Sequence, residues 1–300
     1  MKKEEFINQF PEMKLLPNEP LMNYTFTETG GPADILAFPK TRTEVEALVN
    51  YCRKQAIPWI VLGNASNLIV RDGGIRGVVI MLLEMKQLSI QGTMIEVEAG
   101  ARLIDTSAAA REASLTGLEF ACGIPGSIGG AVFMNAGAYG GEITDVFVSS
   151  DVLFPDGTIR TLTKEEMNFS YRHSDIQQMG GIVLNARFEL APGDYTTISE
   201  KMAELTELRE SKQPLEYPSC GSVFKRPEGH FTGKLVQDAG LQGLVWGGAQ
   251  ISEKHAGFIV NINHATATDY VELIAHIQAV IKDKFDVALE PEVRIIGEEQ

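Results

Sequence analysis

Eight of the chain's 29 glycines fall between Gly117 and Gly141. Ordering a glycine costs more backbone entropy than ordering any other residue, so such density is kept where backbone must approach something closely. The run Gly123-Ile124-Pro125-Gly126-Ser127-Ile128-Gly129-Gly130-Ala131 continues through Asn135-Ala136-Gly137-Ala138-Tyr139-Gly140-Gly141. A flat ligand is one candidate for the approaching body; tight internal packing is the other. A second loop, Val61-Leu62-Gly63-Asn64-Ala65-Ser66-Asn67, directly follows the apolar β run Trp59 to Leu62. Consecutive small residues let backbone N–H groups turn toward one concavity, which suits a pyrophosphate, and Asn64, Ser66 and Asn67 add side-chain donors. Taken alone, this second loop also reads as an ordinary strand-to-loop turn.

Familiar nucleotide and catalytic signatures are absent. No G-x-G-x-x-G occurs, so a dinucleotide must be held another way. Gly229 to Lys234 imitates a P-loop but is one residue short, with Leu235 where a magnesium-binding hydroxyl belongs. Pro125 to Gly129 resembles a nucleophile elbow, but Pro125 stands where the first glycine is needed. The five histidines, His173, His230, His255, His264 and His276, show no tight ligand spacing, so no metal site is expected.

Length and composition bound the rest. A chain of 300 residues predicts about two domains, and 44% apolar with 22% charged residues is ordinary globular usage. The net charge of −14 argues against general nucleic-acid binding, which relies on clustered Lys and Arg. Cys52, Cys122 and Cys220 are odd in number and widely spaced, which fits a reducing compartment and no disulfide framework. Met1 to Phe10 lacks an apolar h-region and no run of about 18 apolar residues occurs, so neither signal peptide nor membrane span is expected.

Periodicity predicts a strand at Ile35 to Phe38, then a helix capped by Thr43 and Glu46 with Val45, Leu48, Val49 and Cys52 on its buried face. Strands dominate from Val78 to Leu190, with one helical stretch near Leu103 to Ala113. Val146 to Phe154 and Thr158 to Leu162 flank the turn Pro155-Asp156-Gly157, and Ile182 to Leu190 alternates as a further strand. Ser199 to Leu208 is helical until Pro214 and Pro218 stop it. Beyond that boundary lie a strand at Phe258 to Asn263 and a helix capped by Asp269 and Glu272 whose face is Tyr270, Ile274, Ile277, Ile281 and Phe285. Val293 to Ile296 closes the chain as a short strand.

Five segments in order are more specific than any one: Leu62 to Asn67, Gly123 to Gly141, Tyr171-Arg172, Cys220-Gly221-Ser222-Val223-Phe224-Lys225 and Leu289-Glu290-Pro291-Glu292-Val293-Arg294. From about Tyr24 to Gly297 the chain resembles the UDP-N-acetylenolpyruvoylglucosamine reductase family, also called UDP-N-acetylmuramate dehydrogenases. Tyr171-Arg172 reaches the strand at Ile182 in about ten residues, which is similar to the shorter variant of that family, without an inserted subdomain. The resemblance implies an α+β fold: a two-subdomain FAD-binding fold of the vanillyl-alcohol-oxidase type, which has no Rossmann fingerprint, and a C-terminal α+β substrate-binding domain. The expected divisions are 1–80, 81–205 and 206–292, with the strand in 293–300 returning to the first.

The resemblance also implies the chemistry: NADPH-dependent, FAD-mediated reduction of UDP-N-acetylglucosamine enolpyruvate to UDP-N-acetylmuramate in peptidoglycan synthesis. Hydride passes from flavin N5 to C3 of the enolpyruvyl group, negative charge collects in the carboxylate, and a proton reaches C2. It assigns Arg172, Ser222 and Glu292 to catalysis. Arg172 is an always protonated fork for the carboxylate. Ser222 is the proton donor, and Glu292 suits the site if protonated. Lys212 or Lys225 can stabilise the serine alkoxide. FAD is expected at Val61, Leu62, Gly63, Asn64, Ala65, Ser66, Asn67, Gly123, Ile124, Pro125, Gly126, Ser127, Gly130, Ala131, Gly137, Ile182 and Arg209, and noncovalently, since neither glycine loop holds a histidine. Tyr171, Lys212, Lys225, Arg226, Lys234 and His255 are expected to meet the UDP-sugar, with Lys254 a further available cation. By residue type alone Ser222 reads as a turn serine, Arg172 as a solvated charge and Glu292 as an exposed terminal acid; the order of the motifs assigns them roles. The alternative is an FAD-dependent oxidase of the same fold acting on an alcohol or sugar, which has no need of the Ser222 and Glu292 pair. A cytoplasmic chain without membrane or nucleic-acid partners is expected, with a monomer the favoured state.

Overall fold

Helix Arg42–Lys54 shows apolar spacing turned into packing: Val45, Leu48, Val49 and Cys52 are all fully buried. It begins two residues earlier than the predicted Thr43–Glu46 cap. Thr41 is the N-cap, and its hydroxyl accepts the Glu44 N–H at 3.2 Å. The sequence offers the same T-x-x-E pattern at both positions, and the earlier one is used. This computed structural model describes residues 2–299, and the chain is an α+β protein. It divides into two compact units, residues 1–17, 35–64 and 77–209 in one and 18–34, 65–76 and 210–300 in the other. Among the described residues no helix is long and apolar enough to cross a membrane.

The first unit holds most of a four-stranded sheet in the order Lys14–Pro20, Pro32–Phe38, Ile75–Met81, Trp59–Leu62. The last two pair in parallel, Trp59 against Val78 through Leu62 against Met81. Such a pair requires a crossover, which the chain makes through residues 63–74, while helix Arg42–Lys54 connects Pro32–Phe38 to Trp59–Leu62. A six-stranded sheet follows, in which Ile159–Thr163, Phe147–Leu153, Asn185–Glu189, Met94–Glu98 and Leu88–Gln91 are neighbours in that order. The predicted hairpin at Pro155-Asp156-Gly157 is present, with Gly157 at φ 87° and the Phe154 N–H bonded to Thr158 O at 2.8 Å. The predicted strand Ile182 to Leu190 is split into Ile182–Val183 and Asn185–Glu189. At the break, Leu184 gives its N–H to Asp151 O and takes the Ala99 N–H on its own carbonyl, so neither group is orphaned.

The second unit is built on a four-stranded antiparallel sheet, Ser219–Ser222, Phe258–Asn261, Ala249–Ile251 and Val245–Trp246. Helix Ala267–Phe285 contributes Tyr270, Leu273, Ile274, Ile277 and Ile281 to its apolar core. Phe285, expected on that face, is the last helical residue and 36% exposed, because Asp286 turns the chain left-handed at φ 56°. Nor do Asp269 and Glu272 cap this helix. Thr266 is the N-cap and Asp269 its reciprocal third residue. Asp72, distant in sequence, adds a second cap: its carboxylate accepts from the N–H groups of Ala267 and Thr268, each at 2.9 Å, and from the Thr268 hydroxyl at 2.6 Å. The last strand, Arg294–Ile296, pairs in parallel with Leu68–Val70.

Asp72 thus satisfies two of the orphan donors at the helix start and opposes the helix dipole with a charge. Asp72→Ala should lower stability by about 1–2 kcal/mol, on the scale of other lost caps, while Asp72→Asn, which keeps an acceptor, should lose less. Urea-denaturation midpoints of the two variants check this.

Candidate active site

The two glycine loops meet. The Asn64 side-chain amide donates to the Pro125 carbonyl, and a Cβ placed on Gly63 would run into the Ser127 hydroxyl. Ser127 is the N-cap of helix Ile128–Met134 and takes the Gly130 N–H at 3.4 Å. Internal packing explains part of the glycine density: Cβ atoms at Gly137 and Gly141 would stand 2.7 Å from neighbouring atoms, and one at Gly129 3.1 Å from Ala99. Gly130 is different. A Cβ there would meet only the Ser127 hydroxyl, at 3.5 Å, an ordinary contact. Among the described residues no acceptor takes the N–H groups of Gly63, Asn64, Ala65, Ser66 or Asn67, and Ala65 is left-handed at φ 47°. A run of free donors on a loop after a strand fits an anionic diphosphate.

Arg209, in the last turns of helix Tyr195–Lys212, lies against this region. A Cβ at Gly123 would stand 2.6 Å from Arg209 Cδ, so the arginine stem uses the space that the glycine leaves. Burial pulls the Arg209 pKa down, while Tyr139 and Cys122 nearby act the other way. Guanidinium does not deprotonate in proteins, and among the described residues no acceptor is bonded to it. A half-buried cation without a counter-charge is costly, so this position also suits an anion. Ile124 and Pro125 are half-buried and Ala131 buried in the same stretch, whereas Ile182 is fully buried within its strand.

Tyr171 and Arg172 form a tight corner closed by reciprocal backbone bonds between Ser170 and His173. Arg172 is left-handed at φ 56°, an uncommon conformation for a residue of its size. Its guanidinium donates to Gly137 O at 3.1 Å and lies 5.2 Å from the Tyr171 ring centroid. Gln177 donates to the Arg172 carbonyl at 3.1 Å and holds the corner from behind. Gly137, predicted with the cofactor residues, therefore anchors the predicted carboxylate ligand.

In the second unit a β-bulge shapes the strand that ends at Ser222, and the residue after it is bonded to Glu292. Ser219 pairs with Val260 and Ser222 with Phe258, so the first strand holds one residue more than its partner. Gly221 absorbs the bulge at φ 78°, and Ser222 emerges exposed while Cys220 turns inward. The carbonyl of the next residue, Val223, accepts the N–H groups of Glu292 at 2.8 Å and Val293 at 3.3 Å. Lys225 N–H donates to Glu290 O at 2.9 Å, and its ammonium to the Glu290 carboxylate at 2.5 Å. Arg226 lies 3.9 Å from the centroid of exposed Phe231. Lys234 pairs with Asp238, and Lys212 is exposed at the end of its helix. His255 accepts the Gly257 N–H on Nδ1 at 3.0 Å, and burial lowers its pKa, so it is the neutral Nε2–H tautomer near pH 7.

Comparison with known proteins decides between the readings. The family model described as "FAD binding domain" matches residues 33–163, and that described as "UDP-N-acetylenolpyruvoylglucosamine reductase, C-terminal domain" matches 213–296. The UDP-N-acetylenolpyruvoylglucosamine reductase of Enterococcus faecalis is 70% identical over 299 residues, all of both chains. That of Levilactobacillus brevis is 61% identical, covering 97% of this chain and 95% of its own. A crystal structure of the enzyme from Thermus caldophilus superposes with TM-score 0.81 at 36% identity, over 95% of this chain and 98% of that one. The chain belongs to the UDP-N-acetylenolpyruvoylglucosamine reductase family. It is an FAD-dependent oxidoreductase of peptidoglycan synthesis that takes its electrons from NADPH, and the oxidase alternative is set aside.

One feature beside the Val61–Asn67 loop escaped the sequence reading. Thr25, Thr27 and Thr29 are buried and knotted together: Thr25 Oγ1 donates to Thr29 O at 2.7 Å, and the Thr27 and Thr29 hydroxyls are 2.8 Å apart. Asn261 ties in the Thr27 carbonyl at 3.0 Å, and the Phe26 N–H donates to Ala65 O at 3.3 Å. The knot thus braces the second half of the loop predicted to hold FAD. The T-x-T-x-T spacing was the available signal, but it also fits an alternating strand.

The three cysteines differ sharply. Burial pushes Cys52 up to about 11 and Cys220 up to about 12. Cys122 is half-buried, its sulfur 3.6 Å from Met202 O and 3.7 Å from the Thr206 hydroxyl. The thiolate is the reactive form. Near neutral pH Ellman's reagent should therefore modify Cys122 alone in the native protein, and all three cysteines after denaturation, as read by peptide mass spectrometry.

Proposed function

We propose that Arg172, Ser222 and Glu292 carry the reduction of the enolpyruvyl group. Arg172 holds the substrate carboxylate and stabilises the charge that develops there, an effect often worth roughly 3–4 kcal/mol per donor. Ser222 releases its proton to C2, and the bulge that exposes its hydroxyl supports this role. Lys225 is engaged by Glu290, so we assign stabilisation of the alkoxide to Lys212. Glu292 serves as a protonated acid beside the developing negative charge. FAD, once held here, would supply hydride transfer from NADPH to the enolpyruvyl group. Residues 61–67 and 123–131, with Arg209, hold that cofactor noncovalently, and the free N–H groups and open Gly130 support the fit. Tyr171, Arg226, Lys234 and His255 contact the UDP-sugar. Functionally we divide the chain into 1–80 and 81–205 for the cofactor and 206–292 for the substrate, and we place it in the cytoplasm as a monomer.

The observation that carries this reading is the Val223 carbonyl. By accepting the Glu292 N–H at 2.8 Å, it holds the Glu292 backbone against the residue that follows Ser222, which supports the two roles together. Ser222→Ala should keep its yellow colour and be bleached by NADPH at a near-normal rate. Substrate should then fail to restore the colour at anything near the normal rate in anaerobic stopped flow; normal recovery would remove Ser222 from the mechanism.

Gly130→Ala tests the cofactor loops separately. The fold has room for this methyl and alanine is the better helix former, so the melting temperature should hold or rise. FAD affinity should fall about tenfold, equivalent to ~1.4 kcal/mol, in a flavin-fluorescence titration. Unchanged affinity would take Gly130 out of the cofactor site.

A further inference from the structure

The loop that follows strand Trp59–Leu62 is bonded directly to the stretch bearing Glu292. The Asn67 side-chain amide donates from Nδ2 to the Glu292 carbonyl at 3.3 Å. In return the Asn67 carbonyl accepts the Arg294 N–H at 3.1 Å. From Leu68 onward the two segments continue as a parallel ladder, Leu68 against Arg294 and Ile69 against Ile295. Residue 292 therefore sits at the open end of that ladder, clamped on one side by Val223 and on the other by Asn67. Behind Asn67 the loop is held by the Phe26 bond to Ala65, itself left-handed at φ 47°. An asparagine amide has two N–H donors and one carbonyl, and only one N–H is used here.

We propose that Asn67 is a positioning residue for the reaction: it sets the place of Glu292 through that residue's backbone and so couples the cofactor loop to the acid. The inference rests on the role given to Glu292 above. A backbone anchor matters because active-site groups must be held closely, and a displacement of about 1 Å can cost a hundredfold in rate. The same amide is free to meet the cofactor with its second N–H. Movement of the loop is then transmitted to the acid over one hydrogen bond.

Asn67→Asp keeps the shape but, when ionised, has no donor; Asn67→Ala removes the group. Both should be compared in the full-length, FAD-saturated enzyme by anaerobic stopped flow, with FAD dissociation constants measured by fluorescence. At equal FAD occupancy, reoxidation by the enolpyruvyl substrate should slow at least about fivefold more than bleaching by NADPH does, and its pH profile should shift. In the double variant with Glu292→Gln, the Asn67 change should add less than about twofold, because it acts through a residue already disabled. If Asn67→Ala loses FAD, Asn67→Ser carries the same comparison. Equal loss in both half-reactions, tracking FAD occupancy, would make Asn67 a cofactor ligand only and overturn the proposal, as would full multiplicative losses in the double variant. Glu292→Gln alone separates the two levels. If it does not slow reoxidation, the role of Glu292 fails; if it does while the Asn67 variants remain fast, only the coupling fails.

Discussion

The parallel pairing of Leu68–Val70 with Arg294–Ile296 joins an early segment of the chain to its last strand. Contacts so remote in sequence close a long loop, and that entropy must be recovered by the packing they allow. Here the recovery is visible: Ile69 and Val293 enter the same apolar core as Tyr270, Ile274 and Ile277. Asp72, two residues beyond this ladder, reaches the start of helix Ala267–Phe285 and caps it. Without the pairing, Glu292 would be held only from the side of Val223, and Asn67 would lose the strand it is bonded to.

Three departures from regular backbone lie where we assign chemistry. Arg172 and Ala65 are left-handed without being glycine, and Gly221 takes up a bulge. Each is stabilised by surrounding bonds: Gly137 and Gln177 for Arg172, Phe26 for Ala65, and Val223 for the segment after the bulge. Strained positions persist only when their surroundings over-determine them. Serine and arginine side chains gain fixed directions from these features that a plain strand would not provide.

Much of the fold was legible because burial follows period. The face Val45, Leu48, Val49 and Cys52, the strand Trp59–Leu62 and the hairpin around Gly157 appear where the sequence places them. Helix starts were less legible. Thr41 and Thr43 both offer a capping pattern, and Asp269 reads as a cap until Thr266 is seen to precede it. The break at Leu184 was invisible, since its cause is a pair of bonds to Asp151 and Ala99, both remote in sequence.

By itself the sequence determined the family and the two glycine loops, and it singled out Arg172, Ser222 and Glu292 for the roles we propose, because residue types in a fixed order are local information. It also determined that no Rossmann loop would hold the cofactor. Only the tertiary structure decided that Ser222 emerges from a bulge, that the next residue, Val223, accepts the Glu292 N–H, and that Asn67 binds the Glu292 carbonyl. Those facts depend on pairing between distant strands, and register between such strands is set by the packing of a whole core rather than by any local pattern.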